Sequence, residues 1–198
     1  MFIELLKKIK NSCPWIWNVI ENCNGFVVGL LYGEKIKKAA NVALQDIEGF
    51  YKYRTLNVED TTCIMELIEM QPEGFDRFFK PHAFDLKTFR KVLKNHTYSL
   101  IGCFDEKKLI GYCFIRFVAN KSAYRGKIVD SAYQGRGIAK QMGIIMTKIA
   151  LDAGFRLFAT ISKNNVASMK SSNAVNDIRI IKELPDDYVY IEYLGLKK

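Results

Sequence analysis

The segment from 127 to 142 reads KIVDSAYQGRGIAKQM, and it decides the fold. A strand pattern ends at Asp130, two glycines follow at Gly135 and Gly137, and an amphipathic helical pattern begins at Ile138. Small residues between a strand and a helix let the backbone approach a ligand, and the free amides at the start of a helix attract phosphate. The segment therefore predicts a phosphate-binding loop, although glycines at these positions also suit a tight turn that binds nothing.

This loop matches neither of two common nucleotide-binding motifs. The dinucleotide-binding fingerprint G-x-G-x-x-G needs a third glycine where this sequence has Lys140. The Walker loop needs a Gly-Lys-Ser/Thr ending, whereas Gly137 is followed by Ile138. Both motifs are therefore excluded.

Strand and helix patterns alternate on both sides of the loop, over residues 51–198. The turn at 105–108 joins two strand patterns and indicates an antiparallel hairpin before the loop. The helix after the loop ends at Gly154, and Pro185-Asp186-Asp187 marks a turn between the last two strands. The expected strands cover 53–56, 97–104, 109–117, a stretch ending at Asp130, 155–161, 178–182 and 188–193.

Residues 1–50 carry a different pattern and are interpreted as a helical N-terminal extension. A first helix is expected within 2–10, a second from Pro14 to a stop at Gly25, and a third from about Glu34. The rest of the chain, 51–198, forms the second unit. The chain is long enough for one compact domain with such an appended element.

The charge balance indicates an anionic partner. The 198 residues carry a net charge of +9, and hydrophobic residues make up 49% of them, which is ordinary for a globular protein. Residues 51–198 contain 24 basic and 16 acidic side chains, so nearly all the excess lies there. A positive field favours coenzyme A, nucleotides, nucleic acid or anionic lipid, and charge alone does not choose among them.

The cysteines argue against disulfides and metal sites. Their number is odd and no two have the close spacing of metal ligands, so we expect no metal and a reducing, cytoplasmic location. No secretory signal or apolar segment of membrane-spanning length is visible in the sequence. The five cysteines are Cys13, Cys23, Cys63, Cys103 and Cys113.

Two segments together resemble the motifs of a known family. The loop is similar to motif A of the GNAT superfamily of N-acetyltransferases, where Gln/Arg-x-x-Gly-x-Gly/Ala follows the fourth strand. Gln134, Gly137 and Ala139 fit this pattern in register. The segment 161–168, which reads ISKNNVAS, is similar to motif B, where an asparagine follows the fifth strand. With both motifs in this order, the chain is identified as a member of the superfamily over about 51–198.

The resemblance implies the architecture. An α/β fold is expected, with a mixed, mostly antiparallel central sheet of about seven strands flanked by helices, in addition to the N-terminal helical extension. The fourth and fifth strands, which end at Asp130 and Ile161, would run parallel and splay apart. The active site of the family lies in that gap.

The resemblance also implies acetyl-coenzyme A as co-substrate, with its pantetheine in the gap between the splayed strands. A backbone amide near Val129 would bind the thioester carbonyl and stabilise the developing oxyanion. The pyrophosphate would lie on the loop, and Asn165 would contact the cofactor. The expected cofactor-binding residues are Val129, Gln134, Gly135, Arg136, Gly137, Ile138, Ala139 and Asn165.

Direct transfer needs a base for the acceptor ammonium and an acid for the leaving thiolate. Asp130, at the end of the cofactor strand, and His82, in an aromatic and basic loop, are the candidate catalytic residues. Each could instead support its own loop. The usual acid in the family is a tyrosine in the helix after motif B, and this sequence has Ser171 or Ser172 at that position.

The cofactor strand offers one more candidate for the site. Tyr124 and Arg125 are neighbours, and period-two alternation lets only one of them face inward. Tyr124 shares a face with Ile128 and Asp130, so it is the better candidate of the two, although packing of this aromatic side chain against a neighbouring strand is the favoured interpretation.

The acceptor is expected to be a small molecule with a primary amine. In the superfamily the region around His82 commonly lines the acceptor pocket, so Phe79, Lys80 and Arg77 are the expected substrate-binding residues. The aromatic and basic character of this region favours an amino sugar, including a nucleotide-linked one. A peptide or protein amine is an alternative acceptor, and a non-catalytic sensor of acyl-coenzyme A is an alternative function.

Other partners are weighed from the remaining charges. No basic stripe or nucleic-acid motif is visible, so nucleic acid is not expected. Lys7, Lys8 and Lys10 beside Trp15 and Trp17 could hold the N-terminal helices on a membrane surface. Packing of these helices on their own domain or on a second subunit, as in a homodimer, is the favoured interpretation.

Overall fold

The computed structural model describes residues 14–45, 47 and 49–197. The first expected helix, within 2–10, lies outside these residues. The helices are α1 Pro14–Gln45, α2 Thr61–Glu69, α3 Leu86–Lys94, α4 Ile138–Asp152 and α5 Val166–Val175. The strands are β1 Lys52–Thr55, β2 Tyr98–Asp105, β3 Lys108–Val118, β4 Ser122–Val129, β5 Arg156–Ser162, β6 Asn176–Leu184 and β7 Tyr188–Leu196.

The seven strands form one sheet in the order β1-β2-β3-β4-β5-β7-β6. Every neighbouring pair is antiparallel except β4 and β5. These two parallel strands pair only from Ser122 to Tyr124 and from Arg156 to Phe158, so they separate towards their carboxyl ends. The expected α/β fold with a mostly antiparallel sheet of seven strands is confirmed.

The hairpins follow from their turn residues. Glu106 has a φ of 50° in the turn between β2 and β3. Asp186 and Asp187 both have a φ of 59° in the turn between β6 and β7, as a two-residue hairpin turn requires. Aspartate tolerates this left-handed region better than most residues, which explains the turn predicted at Pro185.

The sheet is covered on both faces, and this arrangement buries its central strands. One core lies between the sheet and α4, with α1 packed along α4, and the other lies between the sheet and α2 and α3. β2 is buried over its whole interior, which is why its sequence reads as an apolar run without alternation.

Helix α1 is one continuous helix, so the predicted stop at Gly25 is wrong. A Cβ at Gly25 would lie 3.4 Å from Asn95 Oδ1, an ordinary contact distance, so the helix packs beside the chain before β2 at this residue. Asn24 next to it fixes the helix to the end of β3, where it accepts from the Ala119 amide at 2.9 Å and donates to the Phe117 carbonyl at 3.2 Å. Val28 and Ile36 join the core under α4.

Three expected absences concern membrane helices, disulfides and metal sites, and the following holds for the part of the chain that the structure describes. There, no helix has the length and apolar character needed to cross a membrane. The four described cysteines carry free thiols, and Cys103 and Cys113 are buried. The same residues contain no group of three or more metal-ligating side chains.

The close contact between β3 and β4 gives a stability prediction. A Cβ on Gly111 would lie 2.8 Å from the Ile128 carbonyl oxygen, and backbone cannot move away as a flexible side chain can. We expect Gly111→Ala to lower the free energy of unfolding by about 1–3 kcal/mol in urea denaturation. Gly195→Ala on β7 is the control, because a Cβ there meets nothing within 4 Å. Equal stability of the two variants would contradict the packing described for Gly111.

Candidate functional site

A cleft of about 780 Å³ occupies the gap between β4 and β5. Its lining includes Phe79 from the core on the α2–α3 face of the sheet and Tyr193 from the core on the α4 face. The cleft therefore passes between the strands and connects the two faces. Of the predicted site residues, those that line it are Phe79, Val129, Gln134, Gly135, Gly137, Ile138, Ala139 and Asn165.

The glycine loop presents the start of α4 to this cleft. Gly135 and Gly137 have φ angles of 79° and 81°, a conformation that side chains disfavour. Gly137 is the N-cap residue of α4, and no side chain caps the first-turn amides. These amides and the positive end of the helix dipole therefore face the cleft and suit an anion.

The second edge of the cleft is the start of α5. Asn165 is its N-cap residue, and its Oδ1 accepts a hydrogen bond from the Ser168 amide at 3.0 Å. The cap occupies the oxygen, so a ligand would be contacted through the Asn165 amide nitrogen. Lys140 on α4 and Lys170 on α5 also line the cleft and add positive charge.

Arg136 lies outside the cleft lining, although it belongs to the loop. Its guanidinium donates to Tyr51 Oη at 3.3 Å and lies 4.7 Å from the centre of the Tyr133 ring. The hydrogen bond to Tyr51 raises the pKa of this already basic group. The side chain thus joins the loop to the chain before β1, and its contact with a cofactor stays a prediction.

Asp130 is buried and both of its oxygens have partners. Oδ2 lies 3.0 Å from Lys108 Nζ, and Oδ1 accepts from the Ala132 amide at 3.0 Å, which caps the short 3-10 helix Ser131–Tyr133. Asp130 does not belong to the cleft lining. These contacts favour a role for Asp130 in supporting the loop. Its catalytic role stays a prediction.

His82 packs in the aromatic loop away from the cleft lining. Its ring meets Phe89 edge-on at 4.8 Å between ring centres, and Nδ1 lies 2.9 Å from the Ala83 carbonyl oxygen. Burial lowers the pKa of His82, so the ring is neutral at neutral pH. The contacts favour the role of an anchor for the loop, and a role as base stays a prediction.

The expected acceptor region divides into residues that reach the cleft and residues that do not. Phe75, Phe78 and Phe79 line it. Lys80 forms an exposed ion pair with Asp76 at 2.8 Å, and the Arg77 guanidinium lies 5.2 Å from the centre of the Phe78 ring. Neither cation lines the cleft, because the 3-10 turn Phe75–Arg77 directs aromatic side chains inward and charged ones to solvent.

Of Tyr124 and Arg125, the candidate Tyr124 does not reach the cleft, and its favoured interpretation as an aromatic packed against a neighbouring strand is confirmed. Tyr124 is 38% exposed and packs on Phe158, with 6.0 Å between ring centres, and only Arg125 belongs to the cleft lining. Arg125 and Lys127 lie on the face of β4 that is turned towards α4. A face that carries two cations reads as solvent-exposed in sequence, which is why this group was missed.

Arg125 is held by two elements that surround it. It donates to the Gly143 carbonyl at 3.1 Å and to Thr147 Oγ1 at 2.8 Å, both on α4. Its guanidinium lies 3.2 Å from the centre of the Tyr193 ring on β7. The remaining nitrogen, Nη2, is buried and has no hydrogen-bond partner among the described residues.

Lys127 is the second buried cation of the cleft lining. Its Nζ is buried, and no described residue accepts a hydrogen bond from it. Burial and, to a smaller extent, the positive charge of Arg125 lower the pKa of Lys127 to about 7. The side chain can therefore gain and lose a proton near neutral pH.

The two serines at the position of the expected tyrosine also line the cleft. Ser171 donates to the Ser168 carbonyl at 3.0 Å, and Ser172 Oγ lies 3.1 Å from Tyr193 Oη. A tyrosine hydroxyl therefore reaches this place from β7, which sequence spacing within α5 could not reveal.

A family model supports the resemblance. The model described as "Acetyltransferase (GNAT) family" matches residues 64–171, which is more than half of the chain. The match runs from α2 to α5 and includes the glycine loop. No curated protein matches the sequence.

Solved structures share the fold at low sequence identity. The GNAT domain of S. lividans PAT is 17% identical with a TM-score of 0.63, and the match covers 74% of this chain and 92% of that one. The PaiA N-acetyltransferase from Thermoplasma acidophilum, in complex with coenzyme A, is 14% identical with a TM-score of 0.60, covering 72% and 97%. An acetyltransferase from Salmonella typhimurium that modifies the N-terminal serine of ribosomal protein L7/L12 is 16% identical with a TM-score of 0.55, covering 74% and 94%. At these identities the likeness shows the fold alone.

The loop geometry gives a binding prediction with a matched control. Gly137 and Gly154 both have positive φ angles, 81° and 83°, and at both a Cβ would meet nothing within 4 Å. Replacement by alanine strains either backbone by about 1–2 kcal/mol. We expect Gly137→Ala to weaken coenzyme A binding at least about tenfold in calorimetric titration, because its strain shifts the amides that face the phosphates. Gly154→Ala, at the far end of α4, should bind as the wild type does. Equal affinity of both variants would contradict the placement of the phosphate site.

Proposed function

The chain belongs to the GNAT family of acetyltransferases, and we propose that it transfers acetyl from acetyl-coenzyme A to the primary amine of an amino sugar, free or nucleotide-linked. The family supplies the reaction class. The protein is an acetyl-coenzyme A-dependent N-acetyltransferase, and acetyl-coenzyme A is its co-substrate. The identity of the acceptor is the part that we propose.

The backbone of β4 suits the thioester. The Asp130 amide donates to the Ile110 carbonyl of β3 at 2.8 Å. Successive amides in a strand point to opposite edges, so the Val129 amide points towards β5, where the gap has opened. A thioester carbonyl placed there would receive a hydrogen bond that strengthens as negative charge develops on its oxygen. The amine then forms its bond to the carbonyl carbon as the bond to sulfur breaks.

The chemical division of the cleft supports the amino sugar. Its phosphate end offers the α4 amides with Lys140 and Lys170, whereas Phe75, Phe78 and Phe79 line it on the α2–α3 side. Aromatic faces suit the apolar faces of a sugar ring. No aspartate or glutamate belongs to the described cleft lining, so a polycationic acceptor such as an aminoglycoside finds no complementary charge.

One comparison favours a second candidate, the N-terminal amine of a protein. The Salmonella typhimurium neighbour modifies the N-terminal serine of a ribosomal protein. A cleft lined by aromatic side chains and open at the surface would also admit an extended peptide. The cytoplasmic location and the homodimer stay predictions for either acceptor.

A panel of acceptors tests these proposals. Release of free thiol from acetyl-coenzyme A would be followed with amino sugars, nucleotide-linked amino sugars, peptides with a free N-terminus and an aminoglycoside. We expect the highest kcat/KM among the amino sugars. Fastest turnover of the peptides would select the protein-amine alternative, and saturable binding of acetyl-coenzyme A without turnover of any amine would favour the sensor.

Truncation of an aromatic side chain gives a sharper test of the acceptor side. Phe78 is 38% exposed and lines the cleft, so its loss costs little stability. We expect Phe78→Ala to raise KM for the amino sugar at least about fivefold, since a stacked ring is worth about 1 kcal/mol. The affinity for acetyl-coenzyme A should stay unchanged. Leu86→Ala, which removes an exposed apolar side chain outside the cleft, is the control, and an equal KM in both variants would contradict the assignment.

A further inference from the structure

The cleft contains a buried ammonium group for which neither the family motifs nor the binding of phosphates accounts. Lys127 lies two residues before Val129 on the same face of β4, and its Nζ is buried without a hydrogen-bond partner among the described residues. Its side chain belongs to the cleft lining together with Ser172. An unpartnered buried cation is costly, so its position in the cleft needs an explanation.

We propose that Lys127 is the general acid of the acetyl transfer, donating its proton to the coenzyme A sulfur as the thioester bond breaks. The inference rests on the proposed function and deepens it. It fills the role for which α5 offers only Ser171 and Ser172, while the Tyr193 hydroxyl that reaches this place from β7 is engaged with Ser172. A serine hydroxyl is far too weak an acid for this step, whereas an ammonium group of suitable pKa is not.

The location of Lys127 fits this role. The Val129 amide, which would hold the thioester carbonyl, is two residues away along the strand, about 7 Å. The sulfur is bonded to that carbonyl carbon. The Lys127 Nζ lies beside Gly143 on α4, where a Cβ on that glycine would be 3.7 Å from it, and a change of side-chain rotamer would bring the ammonium to the sulfur.

The electrostatic surroundings give Lys127 the required acidity. Burial and the neighbouring charge of Arg125 lower the pKa of Lys127 to about 7, and a thiol has a pKa of about 8.5. Proton transfer from this ammonium to a thiolate is therefore downhill. Arg125 keeps its own charge because Thr147, the Gly143 carbonyl and the Tyr193 ring hold it in place.

The other groups around Lys127 do not neutralise its charge. Cys113 on β3 faces it, and burial raises the pKa of that thiol to about 12, so it stays protonated. Tyr193 on β7 is engaged with Arg125 and Ser172, and Lys140 on α4 and Lys170 on α5 add only positive charge to the cleft. The thiolate that forms during transfer is then the anion that Lys127 meets.

Each turnover moves one proton from the amine to water and one from Lys127 to the sulfur. The amine nitrogen forms its bond to the acetyl carbon and releases one proton to water. The bond between that carbon and sulfur breaks, and the sulfur electron pair takes the proton of Lys127 Nζ. Coenzyme A leaves as the thiol, and neutral Lys127 recovers a proton from water before the next cycle.

The kinetic test compares two variants of Lys127. Lys127→Met keeps the length and removes the proton, and we expect kcat to fall at least about a hundredfold with unchanged affinity for acetyl-coenzyme A. Wild-type kcat should decline as the pH rises above about 7, because Lys127 loses its proton. Lys127→Arg keeps its charge at all accessible pH values and should lack this decline. Lys107→Met, at an exposed lysine in the β2–β3 turn, is the charge control and should resemble the wild type.

A second measurement needs no acceptor. The pKa of the coenzyme A thiol bound to the protein would be read from the ultraviolet absorbance of the thiolate. Below pH 7, where Lys127 carries its proton, the adjacent ammonium should lower this pKa by about one unit or more relative to Lys127→Met, so the thiolate fraction there should be at least about tenfold higher. Equal thiol pKa values in the two proteins would overturn the proposal even if the enzyme is active. A lowered thiol pKa in a protein that acetylates no amine would leave the placement of Lys127 standing and refute the proposed function instead.

Stability distinguishes catalysis from a structural role. Because Lys127 is buried without a partner, Lys127→Met should be more stable than the wild type at pH 7. The difference should shrink as the pH rises towards 10, where the unfolded chain also loses this proton. A variant that is both less active and less stable would indicate a structural lysine and overturn the proposal. Faster turnover of succinyl-coenzyme A than of acetyl-coenzyme A by the wild type, reversed in Lys127→Met, would also overturn it and indicate a carboxylate subsite.

Discussion

The early separation of β4 and β5 is the constraint on which the rest of the structure depends. Parallel pairing ends after Tyr124 and Phe158, although both strands continue for several residues. Backbone amides and carbonyls beyond this point face a gap and have no strand to pair with, and buried backbone groups require partners. A pantetheine chain, which carries amides of its own, can lie between the strands and satisfy them. In the proposed complex the substrate would therefore complete the sheet.

The elements around the gap keep it open. Helix α4 packs on one face of the sheet through Met142 and Ile145, and α1 packs along α4 in the same core. At the base of the gap, Arg125 links β4 to α4 through Thr147 and to β7 through the Tyr193 ring. The N-terminal helix thus supports the site without touching it.

Charge is distributed so that each part of acetyl-coenzyme A would meet a different environment. In the proposed complex the phosphates would lie near helix amides and lysines at the surface, where water screens the mutual repulsion of the cations. The thioester would lie near the two buried cations, and desolvation lowers the pKa of Lys127. Burying the Arg125 and Lys127 donors without partners lowers the free energy of unfolding of the protein. Such a cost is common where a site must stabilise a charge that exists only during the reaction.

Local sequence patterns, made by residues that are neighbours in the chain, were enough to predict the fold and the position of the glycine loop. The glycines at 135 and 137, the strand before them and Asn165 after β5 identify the fold and the cofactor loop, because a cap or a turn depends only on a few adjacent residues. The sequence failed at Gly25, where the helix continues and its residues Val28 and Ile36 pack into the core.

Only the tertiary structure decided the interior of the cleft. It turned Asp130 away into contacts with Lys108 and its own loop, and it buried Lys127, which as a charged residue reads as exposed in the sequence. It also brought Tyr193 to Ser172 across 21 residues. Such groups meet because strands far apart in sequence are neighbours in the sheet, and their acidity depends on burial, which no local pattern encodes.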